Sequence, residues 1–450
     1  MNSQTYIEQS LTKIKSQNSH EPEFIQAVEE VFHSLAPVLE KRQDLIDANI
    51  LERMAEPERI IIFKVSWIDD AGAIQVNRGF RVQFNSAIGP YKGGLRFAST
   101  VNLSTVKFLA FEQTFKNALT SLPIGGGKGG SDFDPQGKSD REIMRFCQAF
   151  MLELSKHIGG NVDSPAGDIG VGSRELGYLF GYYKRIKNEF DGAGVTGKPV
   201  AFSGSILRPE ATGYGLAYFA EELLEDNGDS LSGKTIIASG YGNVCWGLCK
   251  KATELGAKVV TLSSRIGYVY DPDGVNTEEK FNFMLRIRNE RTATLKDYAV
   301  KFGAEFFPNE KPWSRAGDLV IPCATQNEIG MVEAQLIADN GVKAVIEGSN
   351  MSTTNDALSY FKMQGLAVAP AKAANAGGVA VSALEMSQNA MKYPWTAEEV
   401  DDKLQNIMKN IYHTAKENAQ NYGLGEDLVA GANIAGFLKV AEAMILQGEY

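Results

Sequence analysis

The sequence predicts an α/β protein of two domains, on three observations. Apolar and polar residues alternate over 74–84, just after a stretch with helical spacing. A run rich in glycine and small residues, Asp191 to Gly204, then interrupts the chain. From Lys234 onward, short β-rich runs alternate with helical ones, the pattern of a parallel sheet. At 450 residues the chain is long enough for two or three domains with substantial cores.

Taken in order, residues 21–57 place Phe24, Ala27, Val28, Val31, Leu35 and Leu39 at helical spacing, with Glu21-Pro22 as the start. Residues 59–68 and 74–84 read as strands. In the second, Ile74, Val76, Phe80, Val82 and Phe84 alternate with polar partners, as in a sheet with one solvated face. Helices are expected over 102–121 and 139–158. The stretch 191–204 is expected to be an interdomain crossing. Strands follow at Thr235–Ser239, Val259–Leu262, Leu319–Ile321 and Ala344–Ile346, and helices over 397–421 and 427–446 close the chain. No repeat or low-complexity tract interrupts this order.

Composition narrows the class of function. Hydrophobic residues at 44% and charged residues at 22% are ordinary for a soluble globular protein. A net charge of −10 argues against a nucleic-acid partner. Of Cys147, Cys245, Cys249 and Cys323 only two are close in sequence, and neither has a nearby histidine, so free thiols are expected rather than zinc. The start of the chain lacks an apolar signal core, and no apolar run is expected to reach membrane-span length. These readings point to a soluble cytoplasmic protein without a membrane partner.

The chemistry concentrates in three lysines. Lys92 lies in Gly89-Pro90-Tyr91-Lys92-Gly93-Gly94-Leu95-Arg96, and Lys128 lies in Gly125-Gly126-Gly127-Lys128-Gly129-Gly130, with Lys116 between them. Glycine removes the side chain that would hold a ligand away from the backbone. A lysine in such a wall can aim its ammonium at a carboxylate, or lose its proton where other cations crowd it. That describes a pocket for a small, doubly anionic substrate. A phosphate-binding loop would need Ser or Thr after its lysine, but Gly129 follows Lys128. The four histidines are scattered, which leaves lysine and carboxylate chemistry. Asp168 ends the turn-rich Ser164-Pro165-Ala166-Gly167-Asp168, where, taken alone, it reads as a helix N-cap.

Two glycine strings compete for a dinucleotide. Gly192-Ala193-Gly194-Val195-Thr196-Gly197 matches G-x-G-x-x-G letter for letter, but no strand precedes it and Pro199 follows where a helix should run. Gly240-Tyr241-Gly242-Asn243-Val244-Cys245 puts Cys245 in the third glycine position, yet it sits between a strand and a helix and continues into a second strand. An ordinary tight βα turn is the plain alternative. The second strand ends Thr261-Leu262-Ser263-Ser264-Arg265, with no carboxylate to meet a ribose hydroxyl. Arginine suits a 2′-phosphate, so NADP is expected, with NAD as a secondary cofactor. Arg288 and Arg291, three apart, are placed to join Arg265 if they are not simply solvated charge.

Several strings in sequence carry a resemblance: GPYKGGLRF at Gly89–Phe97, KFLAFEQTFKNALT at Lys107–Thr120, PIGGGKGGSDFDP at Pro123–Pro135, PAGDIGVG at Pro165–Gly172, RPEATGYG at Arg208–Gly215 and KAANAGGVAVSALEM at Lys372–Met386. The chain resembles the hexameric glutamate dehydrogenases over nearly its whole length. The resemblance implies a substrate-binding and oligomerisation domain over 1–203, completed by a C-terminal helix at 425–450. It implies a Rossmann-like dinucleotide-binding domain over 204–424, with the active site in the cleft between the two. Lys92 and Ser382 would bind the side-chain carboxylate of glutamate, and Lys116 with Gln113 the α-carboxylate. Lys128 would transfer protons, Asp168 would be the acid/base, and Gly167 would offer its backbone. Thr212 and Asn243 match cofactor-contacting positions, beside Gly240, Gly242, Ser264 and Arg265 of the turn and strand end read above, and Asn350 and Asn375 would face nicotinamide or substrate. The implied reaction interconverts glutamate with 2-oxoglutarate and ammonium, as in ammonia assimilation, in a homohexamer without a metal. Cys245 and Val381 depart from the commonest pattern. A dehydrogenase for branched-chain or aromatic amino acids and a non-catalytic nucleotide-binding assembly protein are the alternatives. Lys92 and Ser382 oppose the first, and the presence of Lys128 and Asp168 opposes the second.

Overall fold

The computed structural model describes residues 2–290 and 293–448. The chain divides into two compact units. The first comprises Met1–Ile206, Val379–Val400 and Asn433–Tyr450, and the second Leu207–Gly378 and Asp401–Ala432. Residues 379–400, expected in the nucleotide-binding domain, therefore cluster with the first unit. A buried ion pair between Glu385 and Lys198 shows one physical reason.

The first unit is built on a mixed sheet of β1 (Arg59–Ile68), β2 (Ile74–Asn85), β3 (Tyr91–Phe97), β4 (Gly125–Ser131) and β5 (Asp163–Gly167). Their order is β1-β2-β4-β3-β5, antiparallel from β1 to β4 and parallel from β4 through β3 to β5. Only β1 and β2 were legible as strands, because glycine disfavours strands and fills five of the seven positions of β4, while β3 carries a glycine pair and β5 a proline and a glycine. Close packing requires that glycine. A Cβ on Gly126 would lie 1.9 Å from Thr114 Oγ1 on the helix Leu103–Leu119, and one on Gly93 would lie 1.6 Å from the Gly127 carbonyl oxygen. That helix starts where Asn102 accepts from the Thr105 amide. Opposite it, Asp140–Leu154 starts at a capping box of Ser139 and Glu142. Leu95, Phe97, Phe133, Phe146 and Phe150 pack with Trp67 into the core there.

The alternation in β2 divides at Gly79. Phe80, Val82 and Phe84 are buried, whereas Ile74 and Val76 are 74% and 63% exposed. The register explains this, since β4 pairs with β2 only from Gly79 onward and the tip is flanked by β1 alone.

In the second unit, β6 (Thr235–Ala238), β7 (Lys258–Val259), β11 (Leu319–Ile321), β12 (Ala344–Ile346) and β13 (Ala367–Ala369) form a parallel sheet in the order β13-β12-β11-β6-β7. The single strand expected at Val259–Leu262 is two. At Val260, β7 leaves the parallel sheet and β8 (Thr261–Ser264) joins β9 (Gly267–Tyr270) and β10 (Glu305–Pro308) in an antiparallel one. The carbonyl of Val260 accepts from Asp271, which stabilises the departure.

The expectation that no apolar run reaches span length fails for Leu428–Leu446. This helix has a mean hydropathy of 1.5, long and apolar enough by length and composition to cross a membrane, but 61% of it is buried within the protein. Its apolarity is that of a core helix.

Candidate active site

Lys92 stands in β3, registered against Gly126 of β4 and Ser164 of β5. It is 1% exposed, and its ammonium donates to the Ser164 carbonyl at 3.0 Å and to Thr196 Oγ1 at 2.7 Å. Thr196 comes from the loop that copies the dinucleotide motif, and sequence reading gave it no role. Asn117 is a second residue missed. Fully buried on Leu103–Leu119, it donates to the carbonyls of Lys92 and Gly125 and accepts from Gln113. Gln113 and Lys116 lie three residues apart and so share a helix face. Ser382, 1% exposed, lies on the helix Gly377–Met391.

Lys128 and Asp168 meet directly. Lys128 rises from β4, 4% exposed, with its Nζ 3.2 Å from Asp168 Oδ2. Asp168 follows β5 immediately and caps no helix, since the next one, Ser173–Lys187, begins at Gly172. Arg96, four residues after Lys92 in β3, donates Nε to the same oxygen at 2.8 Å. Burial pushes the Lys128 ammonium below its ordinary range. Asp168 pulls it back, and the positive charges of Arg96 and Arg81 add to the depression. The cations that lower it are thus the guanidiniums of Arg96 and Arg81. Burial alone would raise the Asp168 carboxyl, but Lys128 and Arg96 outweigh it and bring it to about 2. The result is an ionised carboxylate beside a weakened ammonium, suited to passing protons. Arg96 was visible in the motif but carried no local sign of this role.

In the second unit β6 turns into the helix Asn243–Glu254 through Gly240 and Gly242. Gly240 has φ +79°, which favours glycine, and its amide donates to Ser263 Oγ. Gly242 is the N-cap without a side-chain cap, and a Cβ there would meet open space. Together they leave a helix N-terminus able to take a pyrophosphate. Cys245 is fully buried in the third glycine position. Close packing falls to Gly213 and Gly247 instead. A Cβ on Gly213 would lie 2.2 Å from the Leu248 amide, and one on Gly247 2.5 Å from the Glu210 carbonyl.

The other residues expected to meet the cofactor lie on several elements of this unit. Ser264 ends β8 and the exposed Arg265 opens the β8–β9 turn, one and two residues beyond Ser263. Arg288 hydrogen-bonds the Asn243 side chain, at the helix start, and Arg291 lies outside the described residues. Thr212 is the second residue of Ala211–Glu225, and a Cβ on Gly378 would lie 2.4 Å from its Oγ1. Asn375 donates to Asn350 Oδ1 at 2.9 Å and to the Gly348 carbonyl at 3.1 Å, while its own buried Oδ1 has no hydrogen-bond partner among the described residues. An acceptor left so fits an amide donor such as that of nicotinamide. The open helix N-terminus and this acceptor both fit a nicotinamide dinucleotide. No cluster of potential metal ligands occurs among the described residues.

Comparison with known proteins agrees with this arrangement. Residues 203–448 match the family described as glutamate/leucine/phenylalanine/valine dehydrogenase, and residues 57–185 match its dimerisation domain. The chain is 55% identical to the NAD-specific glutamate dehydrogenase of Clostridium symbiosum, covering 98% of this chain and 99% of that protein. It is 53% identical to the NADP-specific glutamate dehydrogenase of Giardia intestinalis, covering 98% of each. A solved structure titled glutamate dehydrogenase superposes with a TM-score of 0.97 at 55% identity, covering 99% of both chains.

Proposed function

This chain belongs to the glutamate/leucine/phenylalanine/valine dehydrogenase family, and from that premise we propose that it is an NADP-dependent glutamate dehydrogenase. It interconverts L-glutamate with 2-oxoglutarate and ammonia through 2-iminoglutarate. Gly240, Gly242, Asn243 and Asn375 would hold the nicotinamide cofactor, which would supply the acceptor for the hydride leaving Cα. Lys92 and Ser382 bind the distal carboxylate, and Lys116 and Gln113 the α-carboxylate. The ionised Asp168 takes a proton from the substrate nitrogen. Lys128, in the neutral amine form that burial favours, takes one from the water that adds to the imine carbon, and the pair returns protons to the departing ammonia.

The buried Lys92 ammonium carries the choice of substrate. A leucine, valine or phenylalanine side chain placed against it would leave a desolvated charge facing hydrocarbon. Comparing kcat/KM for glutamate with that for leucine and norvaline tests the reading, and equal use of the apolar amino acids would overturn it. Lys92→Leu should lower glutamate use severely.

Relatives carry both NAD and NADP in their names, so the choice between them rests on this chain's own residues. Ser264 and exposed Arg265 present no carboxylate to a 2′-phosphate, and Arg288 stands at the helix start. One engaged arginine contributes about 1.5–3 kcal/mol, roughly a tenfold to hundredfold preference for NADPH. Measuring kcat/KM for NADPH and NADH in wild type and Arg265→Ala decides this. Preference for NADH in wild type rejects NADP, and an unchanged ratio in the variant makes Arg265 a bystander.

Assembly into a homohexamer is part of the same proposal. It is supported by the exposed Ile60, Ile62 and Ile68 of β1 at the sheet edge, with Ile74 and Val76 beside them on β2.

A further inference from the structure

The segment Gly192 to Gly197 has the letters of a nucleotide site but no strand before it and only a short 3₁₀ turn, Gly192–Gly194, within it. Its folding is nonetheless closely specified. Asp191 accepts from the amides of Gly194 and Gly160 and from the Tyr183 hydroxyl. Lys198, with a fully buried side chain, donates to the carbonyls of Gly192 and Val195 at 2.6 Å each and to Glu385 Oε1 at 2.7 Å. Glu385, equally buried, also accepts from the Gly197 amide at 2.9 Å. A single ion pair thus closes the loop on itself and fastens it to Gly377–Met391.

Such a pair is a weak source of stability, because desolvation offsets most of its attraction and apolar residues of similar volume often serve as well. Its charge-assisted bonds do impose direction. Two residues away on the loop, Thr196 accepts from the Lys92 ammonium at 2.7 Å. One turn before Glu385 on the helix, and so on the same face, lies Ser382. The pair therefore ties together the two segments that carry Lys92's hydroxyl partner and the second group assigned to the distal carboxylate.

The geometry points to Lys198 and Glu385 as positioning residues for substrate chain length. They hold Thr196 and Ser382 at the separation that accepts a five-carbon amino dicarboxylate and disfavours its shorter and longer homologues. This inference rests on the glutamate reading above. The test uses the full-length Lys198→Met/Glu385→Leu double variant, which removes both charges together. With it, kcat/KM is measured for glutamate, aspartate, 2-aminoadipate and norvaline, beside the KM for cofactor and the thermal melt.

The expected result is a rise of at least tenfold in the KM for glutamate. Norvaline turnover and cofactor KM should stay within threefold, so the glutamate-to-norvaline and glutamate-to-aminoadipate ratios should both collapse. An unchanged set of ratios in the folded double variant overturns the positioning role. Should that variant not fold, Glu385→Asp decides. It keeps the charge but withdraws it by one methylene, and unchanged ratios there overturn the role as well. If wild type itself shows no preference for glutamate over norvaline, the glutamate reading falls and this one falls with it. Failure of the ratios to move, with wild-type preference intact, removes only the positioning role.

Discussion

Asp168 is held between opposing effects, since burial favours its neutral form and two cations on one oxygen favour the charged one. The cations prevail, and Arg96 is the one that Arg96→Gln removes without touching Lys128. With Arg96 gone the Asp168 carboxyl should rise from about 2, and the Lys128 ammonium should rise too, because Arg96 had depressed it. Both changes make the basic forms scarcer at low pH. The acid limb of the kcat/KM profile should therefore move upward by about one pH unit or more. An unmoved limb would show that Arg96 does not set the charge state of the pair. Lys128→Ala and Asp168→Asn should each lower kcat by roughly 10²–10⁴-fold while 2-oxoglutarate still binds. Near-normal turnover in either would mean the proton-transfer groups have been misplaced. Stability follows the same carboxylate. Its ion pairs contribute fully above an unfolded value near ~4, and the contribution is lost as pH falls through about 2. The melting-temperature gap between wild type and Asp168→Asn should accordingly be largest above pH ~4 and shrink toward pH ~2.

At the scale of elements, glycine in β4 has a cost in strand propensity that helix packing offsets. Gly126→Ala would drive a Cβ into Thr114 and push Leu103–Leu119 off the sheet, costing about 1–3 kcal/mol or more in urea unfolding. Gly181→Ala is the contrast. It lies inside Ser173–Lys187 with open space around its Cβ, and should stabilise by about 0.4–1 kcal/mol. These glycines also show what was legible beforehand. Helices such as Ala397–Asn421 announced themselves by period, and β6, β11 and β12 by short β-branched runs. The strands β3, β4 and β5 did not, because close approach to a helix at Gly126 and to a neighbouring strand at Gly93 and Gly94, and not local preference, fixes their glycines. The same division holds at the site. Lys92 and Lys128 stand out within their motifs, and the structure brings Lys128 onto Asp168, as the proposed proton transfer requires. Thr196 lies 104 residues from its partner Lys92, and Glu385 lies 187 from Lys198, so no local pattern marks either.

For the whole molecule, the exposed isoleucines of the β1–β2 hairpin make assembly testable. Ile62→Asp, at a position 51% exposed, leaves the core untouched and should convert the proposed hexamer to smaller species in light scattering after gel filtration. A variant that still forms a hexamer would remove this face from the interface. The chain order has a different consequence. The first unit begins at residue 1, is left at Ile206, and is completed only by Asn433–Tyr450. In that last segment Gly436 packs against Phe115, Asn433 reaches Ser34, and Gln447 donates to the Ala87 carbonyl. During synthesis, these contacts form about 230 residues after the segment they complete has left the ribosome, a wait of roughly 10–45 s at 5–20 residues per second. Throughout that interval the apolar surface around Phe115 is a nascent-chain liability, open to chaperones and to other polysomes making the same protein. A stop codon in place of Asn433 would make the wait permanent.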